Sequence, residues 1–406
     1  MASLPPETSR QAATTALPIL VEGGGSAGIT AALDLAAAGR SVHLVEQGAV
    51  LGGQVLNLDK IYPTDHCAFC PLWTDIRRLQ SSPGITVHLS SCIVSLEASE
   101  AGHLATIATM PPWIAPERCI ACGRCAECCP PGAARPLGEH VYPPAFLIDA
   151  GLCNRCGQCV GACPTAAIDL DRKEERKTLK VSRVIRAAGF REAELSPLPE
   201  FGHGTHPDIM TSLEFEAWTA EAGKNGGRIV RKVDGGRPAN IAFIQCTGAR
   251  DDRLLTWCSA VCCMHALKQA SWVKRRDPAI DCWIFYTDLR TVGRDYYAYS
   301  LQTVDKGGVR LVRGRPGLVH PLAGGGIAVK FEDTITQKRE IRRFDMVVLN
   351  GNLRPSVGDV YGTAPEPPAD ACGFAAEPAD IAQSSYQGSS AAMKAMLSDK
   401  EGPCRA

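Results

Sequence analysis

No uninterrupted apolar run in this 406-residue chain approaches the roughly 20 residues that a membrane-spanning helix needs. Excess charge is missing too. The 43 Lys and Arg balance the 43 Asp and Glu, so no basic field exists to attract nucleic acid or an anionic membrane surface. The first residues, MASLPPETSRQAATTALPIL, contain no basic segment followed by an apolar stretch and a small-residue cleavage site, and no twin arginine. Residues 1–16 are therefore expected to be disordered, and export is not expected. The expected setting is cytoplasmic, with a membrane reached only through a partner.

Against these absences stand 19 cysteines. In a reducing compartment they favour metal ligation or redox chemistry over disulfides. Most fall in three dense groups, at 119–129, 153–163 and 246–263. The first two read CIACGRCAECCP and CNRCGQCVGACP, and both fit C-x2-C-x2-C-x3-C-P. This is the pattern of bacterial ferredoxins that hold two [4Fe–4S] clusters: the short spacings wrap a loop around one cubane, and the fourth cysteine crosses to the other. One cluster is assigned to Cys119, Cys122, Cys125 and Cys163, the other to Cys153, Cys156, Cys159 and Cys129. Cys128 is spare.

Before this insert, LPILVEGGGSAGITAALDLAAAGRSVHLVEQ reads as strand, glycine turn, helix and strand. Gly23, Gly25 and Gly28 form G-x-G-x-x-G, which permits a tight turn and brings backbone N–H groups to a pyrophosphate at a helix N-terminus. Glu46, about twenty residues on, is placed for ribose hydroxyls. Gly52, Gly53 and Gln54 follow in LGGQV, a second close backbone approach to a cofactor. After the insert, LKVSRVIRAAGF reads as one strand ending in a turn at Gly189. The α/β texture thus resumes, and the first domain is expected over 17–112 and again from 173, with the insert at 113–172. A Gly- and charge-rich linker closes the 173–235 segment, a second Rossmann-like domain spans 236–345, and 346–406 returns to the first.

The second domain lacks its own fingerprint. After the strand Ile241–Gln245 comes CTGARDD, where nicotinamide binding would want glycines. Cys246 sits at that strand end, and TWCSAVCCMHALKQ adds Cys258, Cys262 and Cys263 around a helix start, with Ser259 as the expected cap. These four thiols either converge at the sheet edge or are buried core cysteines. Cys67 and Cys70 form a separate C-x-x-C, open to three readings: redox dithiol, half of a metal site shared with a partner, or inert thiols.

With these motifs, and with TSLEFE, IQCTGARDD and IFYTDLRT, the chain resembles the family of HdrA, the A-subunit of heterodisulfide reductase, and its relative QmoA. The resemblance implies an α/β fold of thioredoxin-reductase type: two dinucleotide-binding domains, FAD in the first, and an inserted ferredoxin domain. It implies a third [4Fe–4S] cluster on Cys246, Cys258, Cys262 and Cys263. It places Lys268, otherwise readable as a solvated helix lysine, near the flavin N5. The long archaeal members carry further iron–sulfur domains at both ends, so the compact plan looks more like QmoA, and the flavin-contacting stretch near Cys372, ACGFAAEPADIAQSS, lacks an obvious Gly-Asp.

The expected function is electron relay by FAD and three clusters, without direct NAD(P) binding. In a QmoABC-like assembly the partners implied are QmoB- and QmoC-like subunits, the latter reacting with membrane quinone, and adenylylsulfate reductase. The rival assembly is a soluble, bifurcating heterodisulfide-reductase type with HdrB- and HdrC-like partners. A third reading is a stand-alone flavin disulfide reductase using Cys67 and Cys70.

Overall fold

Ile19, Leu20 and Val21 are fully buried. They form the continuous apolar run that a central parallel strand requires when both of its faces are covered. A computed structural model describes residues 16–110, 112–137, 145–221, 223, 225–356 and 370–400. The stretch expected to be disordered, 1–16, lies outside the described residues except for Ala16.

Strand β1 (Ile19–Glu22) leads through the glycine turn into α1 (Ser26–Ala37) and β2 (Val42–Val45). Helix α2 (Phe69–Gln80) and β3 (Ile85–His88) follow. Strands β4 (Ser91–Ser99) and β5 (Gly102–Thr109) then begin an antiparallel meander. The insert interrupts it with α3 (Arg124–Glu127), the hairpin β6 (Ala134–Pro136) and β7 (Phe146–Ile148), and α4 (Gln158–Ala162). Strand β8 (Glu175–Val181) resumes the meander, with Glu175 paired to Thr109. The insert leaves and re-enters at paired residues, so the sheet closes beneath it. Its small core is Ile114, Ala134, Ala167 and Ile168 packed around Cys125 and Cys159.

The stretch LKVSRVI is two strands rather than the one expected. At Ser182 the chain crosses from the meander to β9 (Arg183–Arg186), which pairs with β1. The Ser182 N–H donates to the Pro18 carbonyl at 2.8 Å and thereby fixes the crossing. The first parallel sheet has the order β9-β1-β2-β3.

The second domain holds β10 (Ile209–Thr211), α5 (Ser212–Thr219), β11 (Asn240–Ile244), α6 (Cys262–Arg276), β12 (Asp281–Tyr286), α7 (Tyr296–Leu301) and β13 (Arg310–Arg313). The antiparallel strands β14 (Leu318–Pro321), β15 (Ile327–Asp333) and β16 (Lys338–Phe344) precede β17 (Met346–Leu349). The parallel order is β10-β17-β11-β12-β13. This moves two expected boundaries: β10 and α5 lie before 235, and β17 after 345, yet all three complete the second domain. Thr211 and Glu214 start α5 with a reciprocal capping box.

In both sheets a central strand lies beside one that arrives late in the chain, β1 beside β9 and β11 beside β17. The crevice at such a reversal is where ligands bind. Helix α8 (Ile381–Lys400) closes the first domain across α1. Gly388 makes the crossing possible, because a Cβ there would come within 2.2 Å of the Ala27 carbonyl oxygen. Among the described residues no helix is long and apolar enough to cross a membrane.

Candidate functional site

The glycine turn after β1 is shaped by contacts that leave no room for side chains. A Cβ on Gly28 would stand 1.8 Å from the Gly23 carbonyl oxygen, so only glycine lets α1 pack this close to β1. At Gly25 the nearest protein atom to such a Cβ would be Gly53 Cα at 3.9 Å, which leaves the helix start open on the side where a pyrophosphate would lie. The first turn of α1 contains no acidic residue to repel it. Seven of the eight expected cofactor residues, Gly23, Gly25, Glu46, Gly52, Gly53, Gln54 and Gly189, line one cleft, while Gly28 lies behind it as packing. Glu46 reaches back into the loop: its carboxylate accepts the Gly24 N–H at 2.6 Å and the Gly48 N–H at 2.5 Å. These bonds leave lone pairs for ribose hydroxyls and fix the loop geometry. The residues present fit an FAD.

Gly28→Ala is therefore expected to abolish flavin binding. The added methyl meets backbone rather than a flexible side chain, so the cost exceeds the ~1–3 kcal/mol of ordinary overpacking. Flavin absorbance of the purified variant should fall at least about tenfold, while ferredoxin-type iron signals persist. Retention of normal flavin content would refute this packing argument.

The cleft continues into a second chamber between the domains, sharing Ser26, Leu58, Phe190 and Asp380 with the first. Lys268 lines it, and is 3% exposed rather than solvated. Its Nζ donates to Glu216 Oε1 at 2.5 Å and to the Lys60 carbonyl at 2.9 Å. Glu216 Oε1 also accepts the Asp59 N–H at 3.0 Å, and its Oε2 accepts from Gln269 at 3.0 Å and lies 3.2 Å from His265 Nε2. Burial alone would raise the Glu216 carboxyl, but the Lys268 ammonium and the His265 imidazole outweigh it and hold it well below the usual carboxylate range. This hub ties the loop after β2 to α5 and α6.

Sequence reasoning named Lys268 but missed Glu216, although TSLEFE contains it. It also missed Asp380, which caps α8 reciprocally with Gln383 and accepts from the Tyr296 hydroxyl. The D-x-x-Q spacing was the available signal. The uncertain stretch around Cys372 forms a short turn at Gly373–Ala375, and Phe374 packs against Phe190 at the cleft. Burial pushes the Cys372 thiol up to about 12, as expected of an inert core thiol.

In the insert, Cys119, Cys122, Cys125 and Cys163 line a single small pocket, the grouping that the crossing pattern requires. Cys159 has Cys128, Cys129 and Cys153 as neighbours, and burial raises its thiol first of all. Backbone N–H groups point at sulfur: Ala134 to Cys129 at 3.4 Å, Ala167 to Cys163 at 3.3 Å and Arg155 to Cys153 at 3.4 Å. Such bonds tune cluster potentials. Among the described residues no three or more His, Cys, Asp or Glu converge on a point that could hold one metal ion.

The third set gathers at the reversal of the second sheet. Cys246 follows β11 with φ 57°, and Cys246, Cys262 and Cys263 are 4%, 3% and 2% exposed. Burial raises the Cys246 thiol, with Cys263 and Cys258 adding to the rise as neighbouring charges. Cys262 and Cys263 share a hydrogen bond. Arg250, Arg290 and Arg315 stand close enough to favour thiolates. Gln245, beside Cys246, is 1% exposed, and neither of its side-chain polar atoms has a protein partner. Such an orphaned amide fits a site built around a further group.

Ser259 is not the cap expected of it. The chain turns at Ala260 (φ 56°), Val261 is the N-cap, and the Ser259 hydroxyl donates to the Gly351 carbonyl at 2.8 Å. Cys258 therefore lies on the approach to α6 and not on its face.

The family described as 4Fe-4S binding domain matches residues 146–169, and that described as FAD dependent oxidoreductase matches residues 18–58. The chain is 32% identical over 429 aligned positions to the A-subunit of ferredoxin:CoB-CoM heterodisulfide reductase from Methanosarcina mazei, covering 96% of this chain and 54% of that protein. It is 34% identical over 351 positions to the iron-sulfur A-subunit of CoB–CoM heterodisulfide reductase from Methanocaldococcus jannaschii, covering 83% and 53%. The chain thus spans about half the length of the curated relatives it matches. Lactococcus lactis thioredoxin reductase shares the fold, with TM-score 0.54 at 14% identity over 95% of this chain and 99% of that one. The chain belongs to the family of heterodisulfide reductase A-subunits.

Proposed function

We propose that this chain is the electron-transfer component of a multi-subunit oxidoreductase, holding one FAD and three [4Fe–4S] clusters and relaying electrons between its partners. One observation carries the reading. Helix α6 bears Cys262 and Cys263 in its first turn and Lys268 in the flavin cleft five residues later, about 7.5 Å along the helix axis. One rigid element therefore spans both candidate redox sites. The clusters would pass single electrons, and the flavin would collect them in pairs. The chain's own part is to exclude water with the apolar walls of the cleft, to place the Lys268 ammonium as a proton-holding group facing it, and to surround the thiol set with guanidinium groups. The thiol set takes the edge of the second sheet where a nicotinamide cofactor would sit, so electrons enter and leave through partners.

The relatives' names favour a heterodisulfide-reductase-type complex with HdrB- and HdrC-like partners, and the alternative is a QmoABC-like complex reaching membrane quinone and adenylylsulfate reductase. Co-purification of the native complex and identification of its components decide between them. The relay reading itself is tested on the anaerobic, cofactor-loaded chain. A reduced viologen dye should bleach flavin and cluster absorbance together, while NADH and NADPH should bleach them no faster than buffer. Rapid reduction by either nicotinamide would sink the relay and favour a stand-alone flavin reductase.

A further inference from the structure

We propose that Cys67 and Cys70 are a reversible dithiol–disulfide couple at the rim of the flavin cleft, open to exchange with small disulfides. The pair lies outside all three thiol sets described above. Cys67 ends a short hairpin in which it pairs with Lys60, and Cys70 is the second residue of α2, three positions on. The two thiols are hydrogen-bonded to each other, which places the sulfurs side by side. Cys70 is exposed and Cys67 partly so, unlike the buried Cys282 and Cys372, so a reagent from solvent can reach them. The residues around them, Ala68, Pro71 and Leu72, line the same chamber of the cleft as Lys268. The redox state of the pair is therefore set where it can alter the cleft.

The surroundings favour ionisation of one thiol. Burial opposes it, but the Cys70 thiol, the N–H groups of Cys70 and Phe69 and the Lys60 ammonium hold the Cys67 thiol below its usual range. In the exchange, the Cys67 thiolate attacks one sulfur of a small disulfide RSSR, forming Cys67–S–S–R and releasing RS⁻, which takes up a proton. Cys70 then loses its proton, its sulfur attacks the Cys67 sulfur, and the second RS⁻ leaves. The pair is oxidised by two electrons and the small disulfide is reduced to two thiols. Excess thiol reverses both steps.

The tryptic fragment Ile61–Arg77 contains these two cysteines and no others, which makes the test direct. Cofactor-loaded protein is equilibrated anaerobically in glutathione buffers of graded thiol-to-disulfide ratio, quenched in acid, alkylated and digested. Both thiols should be lost to alkylation together as the ratio falls, leaving a fragment with no alkyl group and two hydrogens lighter than its unmodified dithiol form, and excess thiol should restore them. In Cys70→Ser the same fragment should instead carry one glutathione on Cys67. Iron content measured alongside should not change. Two results would overturn the proposal: both thiols staying alkylatable across the whole range, or Cys67→Ser and Cys70→Ser each costing the protein a bound metal. The second would make the pair ligands.

Discussion

Replacing Cys262 and Cys263 together by alanine is expected to remove about four irons and four sulfides per chain, from about twelve of each to about eight. The vicinal pair opens α6 beside Cys246, so its loss leaves only Cys246 and Cys258, too few thiolates to hold a cubane. The eight ferredoxin thiolates are untouched, because the insert has its own core and joins the first domain at the paired ends of β5 and β8. Reduced-state EPR should accordingly lose one component and keep the two-cluster ferredoxin signal. Flavin content should stay near its starting value, since the cleft glycines lie in the other domain. Cys128→Ala and Cys372→Ala are the controls and should leave the iron count unchanged. If the double variant keeps all its iron, the thiols of α6 only pack, and the proposed relay loses its third cluster.

Much of this architecture was legible because its signals are local. Gly23, Gly25 and Gly28 act within one turn, and each ferredoxin run carries its four motif cysteines within about a dozen residues. What the sequence hid depends on contacts between distant segments. Ser182 divides two strands because its partners, Leu17 and Pro18, immediately precede β1. Strand β10 joins the second sheet by pairing with β17, more than a hundred residues away. The start of α6 was misplaced because Ser259 bonds to the Gly351 carbonyl and not to the helix, and periodicity carries no trace of that. Glu216 shows the same limit most clearly. Within TSLEFE it resembles any helix acid, yet its partners are Asp59, His265, Lys268 and Gln269.

Those partners make Lys268→Met the second large effect. Removing the ammonium leaves a carboxylate that is 5% exposed with only neutral donors around it, and breaking a buried ion pair from one side costs about 3–5 kcal/mol. The thermal transition should fall by roughly 10 °C. Glu216→Gln in the same chain removes the stranded charge, so the double variant should recover most of the loss, because two neutral groups need no compensation. The pH dependence separates this electrostatic origin from lost packing. In the native chain the folded Glu216 titrates below its unfolded value, so its stabilisation is present above about pH 4.3 and is lost as pH falls through the folded value. Without Lys268 burial dominates and the folded carboxyl titrates above its unfolded value, so protonation then favours the folded state. The stability gap between Lys268→Met and the native chain should therefore narrow as the medium becomes mildly acidic. A purely structural lysine would leave that gap constant, and a gap unchanged with pH would remove Glu216 and Lys268 from the electrostatics of the cleft.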